Sequence, residues 1–143
     1  KQDNQGNTAF MLAVKYNTNV QVLKCLCYTF GYTIDINKKD NDGKTALMIA
    51  AQYNTNFAVL ECLCNIFNDN NNINKQDNDG NTALMLAAKN DRTAEIVQYL
   101  CDTCKNKINI IKQDNDGCNV FILAAKYNTN EEVMRYLCYM FGI

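Results

Sequence analysis

The chain has 143 residues and contains no histidine, no tryptophan and no proline. Without histidine the commonest general base and the commonest transition-metal ligand are both missing, so hydrolytic catalysis starts at a disadvantage. There is no excess of either charge: Lys plus Arg is 14 and Asp plus Glu is 15, a net charge of -1. That balance argues against nucleic acid or an anionic membrane surface as partner, since either would call for a basic excess. No apolar run approaches the roughly 20 residues of a membrane span, and no signal peptide is visible. With 48 % hydrophobic residues the chain can still bury a core, at about the size of one domain.

What is present in quantity is asparagine, 23 of 143 residues. Part of it is a solvated tract, Asn68-Asp69-Asn70-Asn71-Asn72, and the rest recurs at fixed positions. Gly6, Gly43, Gly80 and Gly117 are spaced 37 residues apart. Asp3, Asp40, Asp77 and Asp114 precede them by three; Thr8, Thr45, Thr82 and, in the fourth copy, Asn119 follow by two. Ala13, Ala50, Ala87 and Ala124 keep the same register, as do Leu26, Leu63, Leu100 and Leu137. A gapless period of this length marks a repeat architecture. The units are 1–37, 38–74, 75–111 and a shortened 112–143, within a single domain spanning 1–143.

Each unit reads as helix, turn, helix, loop. Thr8, Thr45 and Thr82 stand before apolar runs and can accept an amide of the first turn, as helix N-caps do. The run Ala9 to Val14 is apolar almost all round, which places its helix between neighbours. Tyr16-Asn17-Thr18-Asn19 breaks the pattern as a polar turn, matched by Tyr53 to Asn56 and Tyr127 to Asn130. In the second helix Val22, Leu23, Leu26, Cys27 and Phe30 share one face, and all five are expected to be buried. The same stripe recurs as Val59, Leu60, Leu63, Cys64, Phe67, and as Ile96, Val97, Leu100, Cys101, Cys104. Between units, Asp-Asn-Asp-Gly is a tight-turn signal with the glycine free to take positive φ.

Three constellations invite a chemical reading. Of the eight cysteines, Cys27, Cys64, Cys101 and Cys138 form a ladder on the buried stripe, where a free thiol acts as a small hydrophobe. Cys101 and Cys104 lie one turn apart, but a closed zinc site needs four ligands and no second pair stands at workable spacing. No metal site is expected, and unpaired thiols at repeat-fixed positions point to a reducing, cytoplasmic setting. Asp77-Asn78-Asp79-Gly80 superficially looks like a calcium loop, yet an EF-hand would need acids where Lys75 and Leu86 stand. With no nucleophile-and-base pair in sight, no enzyme activity, catalytic residue or cofactor is expected.

The stretch Asp40-Asn41-Asp42-Gly43-Lys44-Thr45-Ala46-Leu47-Met48-Ile49-Ala50-Ala51 resembles the D-x-x-G-x-T-x-L-H-x-A-A signature of ankyrin repeats, and Ile73-Asn74 resembles the family's closing A-D-V-N. The resemblance covers essentially the whole chain. It implies an all-α repeat solenoid of about four helix-turn-helix units joined by hairpin-type loops. Met11, Met48, Met85 and Ile122 replace the family's histidine, alanine replaces its helix-initiating proline, and four residues are added to the 33-residue unit. The addition predicts a second helix about a turn longer. Stability in such a stack comes from nearest-neighbour interfaces, and terminal units need polar outer faces. The terminal units here remain apolar, and the chain starts at Lys1, so it reads as a segment of a longer array or as one whose ends associate.

The resemblance further implies binding of a partner protein through a concave face made of hairpin tips and first-helix ends. Before the aspartate the matching positions are Gln2, Lys39, Gln76 and Gln113; after the glycine they are Asn7, Lys44, Asn81 and Cys118. The helix ends supply Lys15-Tyr16, Gln52-Tyr53, Lys89-Asn90 and Lys126-Tyr127. The tyrosines have two readings: contact residues, for which their rigid amphipathic rings suit them, or packing against the neighbouring unit. Two rival functions stand beside partner binding. One is a spacer or targeting arm for a catalytic or membrane domain outside this segment; the other is self-association through the ends.

Overall fold

Gly6, Gly43, Gly80 and Gly117 all hold φ between 77° and 83°, the left-handed region that the turn reading requires. In the computed structural model, which describes residues 1–53, 56–66, 73–90 and 94–143 and leaves the side chains of Tyr32 and Ile66 aside, each glycine closes the same hairpin-like loop. The carboxylate three residues earlier organises it. Asp40 Oδ1 accepts from the Asp42 and Lys44 amides at 3.0 and 2.8 Å, while the Asp40 amide donates to the Lys44 carbonyl at 3.0 Å. Asp77 and Asp114 repeat these bonds within 0.1 Å. Phe67, the Asn68–Asn72 tract, Asn54-Thr55 and Asp91-Arg92-Thr93 lie outside the described residues.

Two helices follow each loop: α1 (Ala9–Tyr16) and α2 (Val20–Phe30), α3 (Ala46–Tyr53) and α4 (Phe57–Ile66), α5 (Ala83–Ala88) and α6 (Glu95–Cys104), α7 (Val120–Tyr127) and α8 (Glu131–Phe141). A 3₁₀ turn, Gly31–Thr33, extends α2. The described residues contain no strand. The caps are as the sequence predicts. Thr8 and Thr82 accept from the Met11 and Met85 amides at 3.2 and 3.3 Å, and Asn119 accepts from Ile122 at 3.1 Å. Asparagine caps the second helices too, Asn19 accepting from Gln21 and Asn130 from Glu132, both at 3.0 Å. Much of the asparagine content is therefore helix-starting chemistry. The methionines that replace the family's histidine close the first-helix caps from the other side. The Thr8 and Thr82 amides each donate to a sulfur, Met11 Sδ or Met85 Sδ, at 3.4 Å.

The first helices α1, α3, α5 and α7 pack side by side in one row and α2, α4, α6 and α8 in a second, each unit packing against its neighbours. This is an all-α repeat solenoid. Its core lies between the rows and between the units, with Val14, Met48, Leu60, Leu100 and Leu137 fully buried. The second-helix stripe needs one correction. Val22 and Phe30 are exposed, although Val59 and Val133, at the position of Val22, are fully buried. Leu23 is buried, but Leu26 and Cys27 are only half-buried. The stripe has two edges facing opposite neighbours, and in the first unit one edge faces solvent. The second helices run 10 or 11 residues against 6 to 8 for the first helices.

Successive loops are tied by asparagine. The amides of Asn41, Asn78 and Asn115 donate to the carbonyls of Gln5, Asp42 and Asp79 at 3.0, 2.9 and 2.9 Å. Their side-chain amides donate to the carbonyls of Asn4, Asn41 and Asn78 at 3.0, 2.9 and 2.8 Å. Gln76 adds a tie by donating to the Gln113 carbonyl at 2.8 Å.

Candidate functional site: the loop and first-helix face

Thr8, Thr45, Thr82 and Asn119 start the first helices beside their loops, and the helices end six to eight residues later on the same side of the solenoid. Loop tips and helix ends therefore form one surface running across the units. Two adjoining hollows lie on it. The first, about 380 Å³, is lined by Asn7, Lys15, Asp40, Lys44 and Tyr53 among others. The second, about 360 Å³, takes in Gln52, Asp77, Asn81 and Lys89, and shares Lys44 and Tyr53 as the wall between them.

The lysines and tyrosines pair across units. Lys15 Nζ lies 4.6 Å from the centroid of the Tyr53 ring and Lys89 Nζ 5.2 Å from that of Tyr127, each lysine reaching forward to the next unit. Within their own units Lys15 lies 5.2 Å from Tyr16, Lys44 5.7 Å from Tyr53 and Lys126 5.0 Å from Tyr127. At the middle step Gln52 stands for the lysine and Asn90 for the tyrosine, and these also meet: Asn90 Nδ2 donates to the Gln52 carbonyl at 2.6 Å. That bond uses the Gln52 backbone rather than its side chain, and with the two lysine–ring contacts it makes the row a contact between units. The rings keep exposed surface all the same. Tyr16 is 71 % and Tyr127 46 % accessible, while Tyr53 is half-buried.

Among the described residues none of these lysines is in an ion pair, while Arg135 pairs with Glu131 on α8 at 3.3 Å. Ammonium over ring at exposed sites contributes about 0.5–1 kcal/mol, so the lysines are weakly held. Two acceptors facing the second hollow's walls, Gln52 Oε1 and Asp77 Oδ2, are buried without a partner among the described residues. On the exposed loop edge the Asn7 amide, donating to Asp3, holds that carboxyl below the usual carboxylate range.

The other sequence-predicted positions are distributed unevenly. Lys39 is exposed, its Nζ donating to the Gln76 carbonyl at 2.8 Å. Gln76 spends its amide on the Gly80 and Gln113 carbonyls, and Gln113 is exposed. Asn81 is only 3 % accessible, held by Asp77 at 3.4 Å and accepting from Lys89 Nζ at 3.4 Å. It forms the floor of the second hollow and presents no side chain outward. The loop carboxylates Asp42 and Asp79, at the hollows' rims, were absent from the sequence-based set. Their recurrence one residue before Gly43, Gly80 and Gly117, where Gln5 stands before Gly6, was the available signal.

The cysteines lie away from this face, on the second helices, except Cys118 in the fourth loop; all eight are free thiols. Burial pushes the Cys64 and Cys101 thiols up to about 12, with neighbouring groups adding to the shift. Both stay protonated at neutral pH and are poor nucleophiles. A thiol reagent at neutral pH is expected to label exposed Cys25 at once, half-buried Cys64 more slowly, and buried Cys101 only as fast as the chain opens. Labelling of Cys101 as prompt as that of Cys25 would contradict its burial. The sign for stability follows from the raised folded values: the protonated thiols support the fold at neutral pH, and that support is lost as pH rises from about 9 toward 12. No group of three or more metal-ligating side chains lies together among the described residues.

Loops, caps and paired helices thus define a class, the helical repeat protein with a continuous side-chain surface along its loop edge. The family model described as ankyrin repeats (3 copies) matches residues 1–77 and again 58–143, and the chain belongs to the ankyrin repeat family. No curated protein matches it. Ankyrin repeats generally mediate protein–protein interaction and are typically non-catalytic. Among the described residues no helix is long and apolar enough to cross a membrane.

Proposed function

We propose that the chain is a non-enzymatic binding module that holds a partner protein on its loop and first-helix face. The observation that carries this reading is the pair of adjoining hollows walled by Tyr53 and Lys44. They offer lysines without ion-pair partners, aromatic surface and backbone-organised carboxylates in one continuous strip. Such a strip can take both charges of a partner and the flat face of its side chains. Lys15, Lys44, Tyr53, Lys89, Lys126 and Tyr127 make the contacts, with Tyr16, Lys39, Gln52, Gln76, Asn90 and Gln113 around them. The eight free thiols support a reducing, cytoplasmic setting.

The test compares three immobilised proteins against a lysate: the native chain, Lys15→Ala/Lys44→Ala/Tyr127→Ala on this face, and Lys24→Ala/Tyr28→Ala/Tyr139→Ala on exposed second-helix positions. Circular dichroism first establishes equal helicity. A protein retained by the native chain and the second-helix variant, and reduced at least tenfold on the first variant, is the expected result. Equal retention by all three would place the contact elsewhere. Retention of nothing by the native chain would favour a spacer or targeting arm.

A further inference from the structure

The four loop carboxylates are not equally placed. Asp3 is exposed and Asp40 and Asp114 are half-buried, whereas Asp77 is 7 % accessible. Its Oδ1 accepts from the Asp79 amide at 3.0 Å, the Asn81 amide at 2.8 Å and Asn81 Nδ2 at 3.4 Å. Its Oδ2 is buried and accepts from nothing among the described residues. Gln52 Oε1, near the end of α3, is in the same condition. Both residues line the second hollow, about 360 Å³ in size. An acceptor left buried without a donor is costly, and a charged one most of all.

The adjoining hollow has a cation at a position where this one has none. Lys15 lines the first hollow together with Asp40. Its equivalent one unit on is Gln52, and Tyr53, the ring over which Lys15 lies, has Asn90 as its equivalent. At this step the lysine and its ring are both gone, and a carboxamide oxygen is buried near the ammonium's place. The two lysines that line the hollow do not make up the loss. Lys44 Nζ lies over the Tyr53 ring at 5.7 Å. Lys89 Nζ lies 5.2 Å from the centroid of the Tyr127 ring and donates to Asn81 Oδ1 at 3.4 Å. Neither forms an ion pair with Asp77 or Asp79 among the described residues. Asp79, exposed, adds a second carboxylate to the lining.

We infer that this hollow receives an arginine side chain of the partner protein; the inference rests on the binding-module reading and names the partner's chemistry. The unmet groups are acceptors, so the occupant is a donor, and a carboxylate without a cation selects positive charge. The two acceptors belong to different elements, α3 and the loop before α5, so one head group has to donate in more than one direction. A guanidinium carries five N–H donors in a rigid plane, while an ammonium is a compact point charge. The guanidinium donates to Asp77 Oδ2 and Gln52 Oε1, with Asp79 beside them. Asp77 Oδ2 is covered in the free chain, so entry needs a lining side chain to swing aside. Lys89, tied by one 3.4 Å bond and a ring contact, can do so.

The probe is the peptide acetyl-Gly-Arg-Gly-amide, titrated into the ¹⁵N-labelled chain and followed by amide chemical shifts. Saturable shifts centred on Gln52, Tyr53, Asn81 and Asn90 are expected. Peptides with lysine or citrulline in place of arginine are expected to bind at least fivefold more weakly. Gln52→Lys puts back the residue that the sister positions Lys15, Lys89 and Lys126 carry, and is expected to weaken the arginine peptide at least tenfold. Asp77→Asn keeps the shape of the side chain and is expected to lose at least fivefold; should it lose helicity, Gln52→Lys decides alone. No saturable shift at the hollow, equal binding of the three peptides, or undiminished binding to Gln52→Lys overturns the inference. A lysate partner retained by the native chain beside a silent arginine titration also overturns it, and leaves the binding module standing. A saturating titration on a chain that retains nothing from the lysate would instead overturn the partner and keep the hollow's preference for arginine.

Discussion

Gly80→Ala is expected to destabilise the chain by about 3 kcal/mol, against about 1 kcal/mol for Gly117→Ala. Both residues sit in the left-handed region, at φ of 83° and 77°, so both alanines carry the strain of that conformation, roughly 1–2 kcal/mol. Only at Gly80 does a methyl also meet the next unit, 2.7 Å from Asn115 Oδ1, 2.8 Å from its amide nitrogen and 2.9 Å from Asp114 Cα. Two of these atoms belong to backbone, and moving them breaks the Asn115-to-Asp79 bond, so overpacking adds about 1–3 kcal/mol. Urea unfolding followed by helicity measures both. Equal losses at the two positions would show that the close approach between loops contributes nothing to stability.

Leu63→Ala should cost about 3 kcal/mol, within the 2–5 kcal/mol range of leucine truncation in a packed core. Its equivalent in the first unit, Leu26→Ala, should cost about 1 kcal/mol. Leu63 is 3 % accessible and has a unit on either side, whereas Leu26 is half-buried. The two changes remove the same atoms from the same place in a second helix, so local helix propensity cancels between them. What differs is the neighbour that closes over the side chain. If the two variants unfold at the same urea concentration, stability resides within units and the stacking account fails.

The contrast between Leu26 and Leu63 also shows what one chain of letters can convey. Features decided within a unit were legible. The glycine demanded positive φ, the threonine a cap and the five-residue stripe a helix face, and each is found where its spacing put it. Features decided by the next unit were not. Val22 and Phe30 read as core because their stripe is apolar, and only a neighbour could have buried them. Asn81 was missed within its own unit: it reads as a contact residue beside the glycine, yet its carboxamide is drawn inward to Asp77. The asparagines of the D-x-x-G turn read as turn formers, although they also tie each loop to the one before. On the candidate face, the paired loss of lysine and tyrosine at Gln52 and Asn90 was visible as two separate substitutions. At that step Asn90 bonds the backbone carbonyl of Gln52 at 2.6 Å, a contact that no side-chain identity at position 52 announces.

The asparagine ties between loops carry a consequence for how such a chain can change length. Every step reuses the same donor, the same acceptor and the same glycine, 37 residues on. A whole unit can therefore be duplicated or lost at any boundary, and each remaining loop still finds an asparagine in register. A shift of one or two residues would instead leave an asparagine facing the wrong carbonyl and set a different side chain over the glycine. Whole-unit gain and loss is the change in length that the molecule absorbs without a fault at the join.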